Sequence, residues 1–279
     1  MNTSTGAAKA QQLRALSADS VLVLPNAWDA GSAAVIAAAG AAAIATTSGG
    51  VAWSLGFRDG QHAGREAMVA AAGRIAAAVD VPVSFDAEGG YGAAPEDVAE
   101  TVRALVGAGV VGVNLEDSHA PGGPLFTADE QAARLAAGRK AAVEAGLPEF
   151  VINARTDVYL FGIGAPEHRL GDVLARAAAY AEAGADGFFV PGLLDLETLR
   201  TLCAESPLPI NAMAGEGGPS IAELAAVGVR RVSVGTALAQ SAYTVARDAA
   251  AEILAGGGFA RLGGAMGYGD VDGLMQSAP

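Results

Sequence analysis

Eight short apolar runs recur along this chain, separated by Ala-rich stretches of helical spacing, and this alternation does most to narrow the fold. The runs are Val21–Leu24, Ala42–Thr47, Val81–Asp86, Val110–Glu116, Phe150–Arg155, Gly187–Val190, Leu208–Met213 and Arg230–Gly235. Each is continuous rather than alternating, as strands covered on both faces are. Helices are predicted near residues 62–79, 95–108, 129–145, 167–183, 195–205, 218–227 and 236–255. Gly109, Gly184 and Gly228 stand between a helix and the next run, where a glycine ends a helix before a strand begins. Eight strand–helix units in 279 residues predict an α/β fold of the (β/α)₈ TIM-barrel class. Periodicity alone leaves an open doubly wound sheet as the alternative.

Composition then removes several functions. The chain has 17 Lys+Arg against 30 Asp+Glu, a net charge of −13, with no basic run, so nucleic-acid binding is not expected. One cysteine cannot form an internal disulfide. The first 20 residues are polar and lack the apolar core of a signal peptide. The apolar stretch Ala33–Ala45 is mostly alanine and too short to span a membrane. A soluble, cytoplasmic protein is expected. With no linker, charge block or low-complexity tract, residues 1–279 read as one barrel domain. Phe259, Leu262, Met266, Leu274 and Met275 follow the last helix and have no obvious place in a barrel. The segment 236–279 is therefore expected to take part in oligomerisation or, alternatively, to fold back on its own barrel.

Active sites of TIM barrels form at the C-terminal ends of the strands. There the sequence places Ser48-Gly49-Gly50, Asp86-Ala87-Glu88, Glu116-Asp117, Arg155-Thr156-Asp157 and Asn211. Carboxylates packed together at Asp86, Glu88 and Glu116 need a proton or a cation, since two of them at ~4 Å repel by several kcal/mol. Oxygen ligands without His or Cys suit Mg²⁺, or Mn²⁺ as a substitute. Arg155 at the end of a buried strand needs an anion, either a substrate carboxylate or a structural partner, Asp157 or Glu116. Ser48, Gly49 and Gly50 could offer a hydroxyl and two amides to a carboxylate, or be a plain turn. Gly89–Gly92 lacks dinucleotide-loop spacing. His62 and His168 read as surface residues, and Cys203 as a small apolar residue of a helix.

In their order these segments resemble the isocitrate lyase/phosphoenolpyruvate mutase superfamily. The resemblance is carried by Asn26–Ala33, Thr47-Ser48-Gly49, Gly56–Asp59, Asp86–Gly92, Asn114–Asp117, Ala154–Asp157 and Ala183–Asp186. It implies a barrel whose Mg²⁺ is held by Asp86, with Glu88 and Glu116 reaching it directly or through water, and Asp59 near the metal's waters. It also implies a substrate carboxylate on Ser48 and the Gly49 and Gly50 amides, with Arg155 on the substrate and a pyruvate-like enolate along the reaction path. Exchange of a C-terminal helix within a homotetrameric dimer of dimers is implied too.

Two departures narrow the expectation. The C–C lyases for isocitrate and methylisocitrate carry Lys-x-Cys-Gly-His after the fourth strand, the Cys being the acid. Here the loop reads Asp117-Ser118-His119-Ala120-Pro121-Gly122-Gly123-Pro124-Leu125-Phe126, without Cys or Lys. The Lys and Asn of the phosphonopyruvate enzymes are missing as well, and Val190-Pro191-Gly192 lacks the His of that branch. His119 is the remaining candidate acid. The expected activity is Mg²⁺-dependent C–C cleavage or decarboxylation of a small oxo- or hydroxy-dicarboxylate. Phosphonopyruvate P–C chemistry and a silent keto-acid-binding barrel are the alternatives.

Overall fold

The computed structural model describes residues 3–18 and 20–275. Its elements run α1 (Thr3–Leu16), β1 (Leu22–Leu24), β2 (Asn26–Ala27), α2 (Ala30–Ala38), β3 (Ile44–Thr46), α3 (Ser48–Ser54), α4 (Gly64–Ala77), β4 (Val83–Asp86), α5 (Pro95–Gly107), β5 (Gly112–Glu116) and α6 (Ala128–Glu144). They continue with β6 (Val151–Arg155), α7 (Pro166–Glu182), β7 (Gly187–Phe189), α8 (Leu196–Glu205), β8 (Ile210–Met213), α9 (Ile221–Ala226), β9 (Arg231–Ser233), α10 (Ala237–Leu254) and α11 (Tyr268–Asp272).

All strand pairs are parallel, in the order β1-β9-β8-β7-β6-β5-β4-β3-β2. The expected eight runs appear as nine strands because the first is broken at Pro25, which has no N–H to give the ladder. Leu22–Leu24 pair with β9, and Asn26 and Ala27 pair with β3. The two halves are consecutive in the chain, so the sheet comes round on itself as a TIM-type barrel. Apart from exposed Val23 of β1, the strands are buried on both faces, with Phe85, Val113, Ile152, Phe188 and Val232 sealed between barrel and helices. Gly109 has φ +91°, and the Gly109 and Val110 amides close the end of α5 on Val106 and Leu105. Only a glycine adopts that turn without strain.

Three helices differ from the expectation. The polar N-terminus forms α1, which closes the N-terminal end of the barrel. Its Leu13 lies so close to β5 that a Cβ on Gly112 would come within 2.9 Å of the leucine. The alanine-rich stretch after Trp28 is largely α2, started by a capping box in which Asp29 accepts from the Ser32 amide at 2.7 Å and Ser32 Oγ accepts from the Asp29 amide at 3.0 Å. Ser48-Gly49-Gly50, read from the sequence as carboxylate-binding groups or a plain turn, is the first turn of α3.

Helix α10 is far more exposed than most of the helices before it. Of the 18 residues of α10 only Ala239 and Ala249 are buried, while Val245 is 61% exposed and Leu254 86%. Phe259, Leu262, Met266 and Tyr268 beyond it are exposed too. Among the described residues no helix is long and apolar enough to cross a membrane.

Candidate active site

The C-terminal ends of β3 to β6 bring together the acids and the arginine that the sequence singled out. Asp86 closes β4. Its Oδ2 accepts from the Ser48 amide at 3.2 Å, its Oδ1 accepts from the Glu88 amide at 3.4 Å, and its own amide donates to Thr46 Oγ1 at 2.8 Å. Glu116 closes β5 opposite Arg155 in the ladder. Arg155 is clamped between two carboxylates, with Nη1 2.9 Å from Glu116 and Nε 2.6 Å from Asp157. The structural partners foreseen for this guanidinium are thus both present. Burial alone would lower its pKa, but Glu116, Asp157 and Asp86 raise it, so Arg155 stays charged.

Glu88 follows the strand with φ +52°, a strained position for a side chain other than glycine. Its Oε1 accepts from the Gly60 and Gln61 amides at 2.9 and 2.6 Å, which ties the loop after α3 to the strand end. Gln61, itself at φ +67°, accepts from the Tyr91 amide at 2.7 Å and so also pins the Gly89–Gly92 loop. Arg134 of α6 holds that loop from below through the Gly89 and Gly92 carbonyls.

Two cavities that share Ser48, Asp59 and Arg155 open here. One, of about 140 Å³, is lined by residues including Ser48, Asp59, Asp86, Arg155, Phe189 and Met213. The other, of about 270 Å³, touches Ser48, Asp59, Glu88, Glu116, Arg155 and Asp157, with Pro121, Leu160 and Phe161 as its apolar wall. Asp59, placed only by resemblance, does reach both. Gly49 and Gly50 line neither through a side chain, but their amides precede the first helical bond of α3, from Val51 to Thr47, and have no acceptor within the helix. Gly50 also meets a packing demand: a Cβ there would lie 2.7 Å from Thr47 and from Trp28.

Other candidates lie apart from the cavities. Asn211 is one layer below the mouth, where it donates to the Ala212 carbonyl at 2.8 Å and accepts from Asn153 at 3.1 Å. The His119 ring stacks on Phe126, with centroids 3.6 Å apart, outside both cavities. Asp117 turns away and is fully buried against Arg176 and Tyr180 at 2.9 Å, bracing the barrel wall. Gln61 and Arg134, which hold the loops, carry no signal in the sequence, since their partners are 27 to 45 residues distant.

The acids outnumber the cations. Asp59, Asp86, Glu88, Glu116 and Asp157 line the two cavities, and Arg155 is the one basic side chain among the lining residues. Burial pushes Glu88 up to about 7 and Glu116 up to about 8, with neighbouring carboxylates adding to both shifts, and burial raises Asp86 as well. Such a cluster fits a divalent cation by its chemistry. Among the described residues no three His, Cys, Asp or Glu side chains converge as a finished ligand set. An ion held here would therefore complete its coordination with water or substrate oxygens.

Comparison with known proteins adds an independent line. The profile of the phosphoenolpyruvate phosphomutase family matches residues 13–254. An uncharacterized protein of Mycobacterium tuberculosis (strain CDC 1551 / Oshkosh) is 39% identical over 214 residues, 77% of each chain. The 2,3-dimethylmalate lyase of Eubacterium barkeri is 35% identical over 227 residues, 78% of this chain and 73% of the lyase. A crystal structure from Burkholderia cenocepacia J2315, described provisionally as a phosphonomutase, is 48% identical with a TM-score of 0.82, covering 86% of this chain and 98% of that one.

Proposed function

The chain belongs to the isocitrate lyase/phosphoenolpyruvate mutase superfamily, and from that premise we propose that it is a Mg²⁺-dependent lyase or decarboxylase. Its substrate on this reading is a small oxo- or hydroxy-dicarboxylate, cleaved at a C–C bond to leave a pyruvate-like enolate. The observation that carries the reading is the single guanidinium of Arg155 among five cavity-lining carboxylates. A site so acidic binds an anionic substrate only with a cation beside it. Asp86 would hold the ion, with Glu88 and Glu116 reaching it directly or through water. When bound, Mg²⁺ supplies Lewis-acid stabilisation of negative charge on a carbonyl oxygen.

The protein's own groups do the rest. The Ser48 hydroxyl and the free amides of Gly49 and Gly50 donate to one substrate carboxylate. Arg155, fixed by Glu116 and Asp157, presents a permanent positive charge to the oxygen on which charge develops. The bond pair released by C–C cleavage becomes the enolate, which then needs a proton. His119 could supply it only if residues 117–125 moved, because the ring is stacked on Phe126. A reaction that finishes on water, such as decarboxylation, fits this arrangement better than reversible isocitrate cleavage. The likeness to the B. cenocepacia protein favours P–C chemistry instead. Against it stands the lone cation, since a phosphonate substrate brings more negative charge than a diacid.

A coupled assay for pyruvate and glyoxylate across diacids and phosphonopyruvate tests the reading. The expected outcome is turnover of at least one oxo- or hydroxy-diacid that needs added Mg²⁺, with negligible glyoxylate from isocitrate. Robust glyoxylate from isocitrate, or turnover of phosphonopyruvate alone, would refute it.

The exposed face of α10 supports an accompanying proposal, that this helix is exchanged between paired subunits in a dimer of dimers. An apolar groove of about 410 Å³ beside α2, lined by Trp28, Val35, Ile36 and Leu238, leaves room for a partner's helix. Light scattering should give about four times the 27.5 kDa chain mass. A monomer at micromolar concentration would rule the exchange out.

A further inference from the structure

One buried charge has no role in the site as described. Arg231, in β9, extends into the barrel and is 8% exposed. Among the described residues no carboxylate lies within ion-pair distance of it. Its Nε has no hydrogen-bond partner, and Nη2 makes only two long contacts, 3.4 Å to Ser84 Oγ and 3.4 Å to Asn114 Oδ1. Asn153 donates to both Asn114 and Asn211, and Asn211 donates to the Arg231 main-chain carbonyl, so the amide that the guanidinium meets, Asn114, belongs to a chain of neutral amides. Burial lowers its pKa to about 10, and Asp86 is the one opposing influence.

A hydrogen-bonding or packing role does not account for this arrangement. An uncompensated cation in a barrel interior costs several kcal/mol, and a neutral side chain of similar volume would make contacts this weak at lower cost. Its position suggests another reason. Ser84 lies two residues before Asp86 on β4, and Asn114 two residues before Glu116 on β5. Two strand residues span about 6.6 Å and point to the same face. The guanidinium therefore sits one side-chain layer beneath the two carboxylates at the mouth. At that range, in a poorly screened interior, its charge is felt by whatever binds above.

We propose that Arg231 is an internal countercharge of the active site, a positioning residue that strengthens the mouth's hold on an anionic substrate and weakens its hold on the metal. The proposal rests on the reading that the mouth takes both a divalent cation and a carboxylate. It predicts changes of opposite sign for the two ligands, which a purely structural role does not produce.

The test is calorimetric titration of the full chain with Mg²⁺ alone and with oxalate in saturating Mg²⁺, for wild type, Arg231→Met, Arg231→Gln and Arg231→Lys, with melting curves to establish that each is folded. Met and Gln should bind Mg²⁺ about three- to tenfold tighter and oxalate weaker by a similar factor. Lys, which keeps the charge, should return both toward wild type. Neutral variants unchanged for both ligands, weakened for both, or unable to fold would overturn the proposal. Wild-type protein that binds oxalate equally well with and without Mg²⁺ would instead refute the metal reading and leave the oxalate comparison to decide this one.

Discussion

Arg155→Met should lower kcat/KM on the diacid substrate by about a thousandfold and cost about 3–5 kcal/mol of stability. Both effects come from the same geometry. The guanidinium spans Glu116 and Asp157, and its removal leaves two carboxylates at the barrel mouth without their cation. Breaking a buried ion pair from one side costs more than the pair is worth, because the surviving charge stays desolvated. The catalytic loss follows from withdrawing a fixed donor where charge develops on the substrate. Arg155→Lys separates the two effects. It keeps the charge and should recover much of the stability, but an ammonium cannot reproduce a planar fork held by two acids, so most of the activity should stay lost. Urea unfolding and steady-state kinetics on the three proteins check this. An Arg155→Met protein as stable as wild type would show that Glu116 and Asp157 do not depend on it.

The barrel was legible because strands buried on both faces have no polar alternation, which makes their apolar runs stand out between helices. What stayed hidden depends on pairings that the apolar pattern does not signal. Pro25 splits the first strand, yet the run Val21–Leu24 alone gives no sign that Asn26 and Ala27 resume it beside β3. The start of α2 rests on Asp29 and Ser32 capping each other, with Ser in the place where Glu or Gln is the usual signal. At the site, the strand-end rule found Asp86, Glu88, Glu116 and Arg155, because a charge ending a buried strand is rare enough to notice. The same rule also picked Asn211. Its layer in the barrel is set by the register of β8 with β9, which no local pattern encodes. Arg231 escaped for the converse reason: at the start of a strand, beside exposed Arg230, it reads as a surface base, and only the closed barrel turns it inward.

Asp86→Asn should reduce Mg²⁺ affinity on the order of a hundredfold or more while leaving the protein as stable as wild type or slightly more so. The carboxylate accepts from the Ser48 amide on one oxygen and the Glu88 amide on the other. Asparagine fills the same volume but offers only one acceptor oxygen, so one of those amides loses its partner, a loss of about 1 kcal/mol. Against that, the substitution removes a charge that burial opposes and that adds to the repulsion on Glu88 and Glu116. In the metal-free protein the two effects roughly cancel. For the metal there is no such compensation, since a neutral amide is a poor substitute for an anionic oxygen toward Mg²⁺. Activity should therefore vanish at Mg²⁺ concentrations that saturate wild type, and return in part only at much higher metal. Calorimetric titration with Mg²⁺ beside a melting curve reads both quantities on one sample. Wild-type metal affinity in a folded Asp86→Asn protein would remove Asp86 from the metal site and with it the basis for assigning Glu88 and Glu116 there.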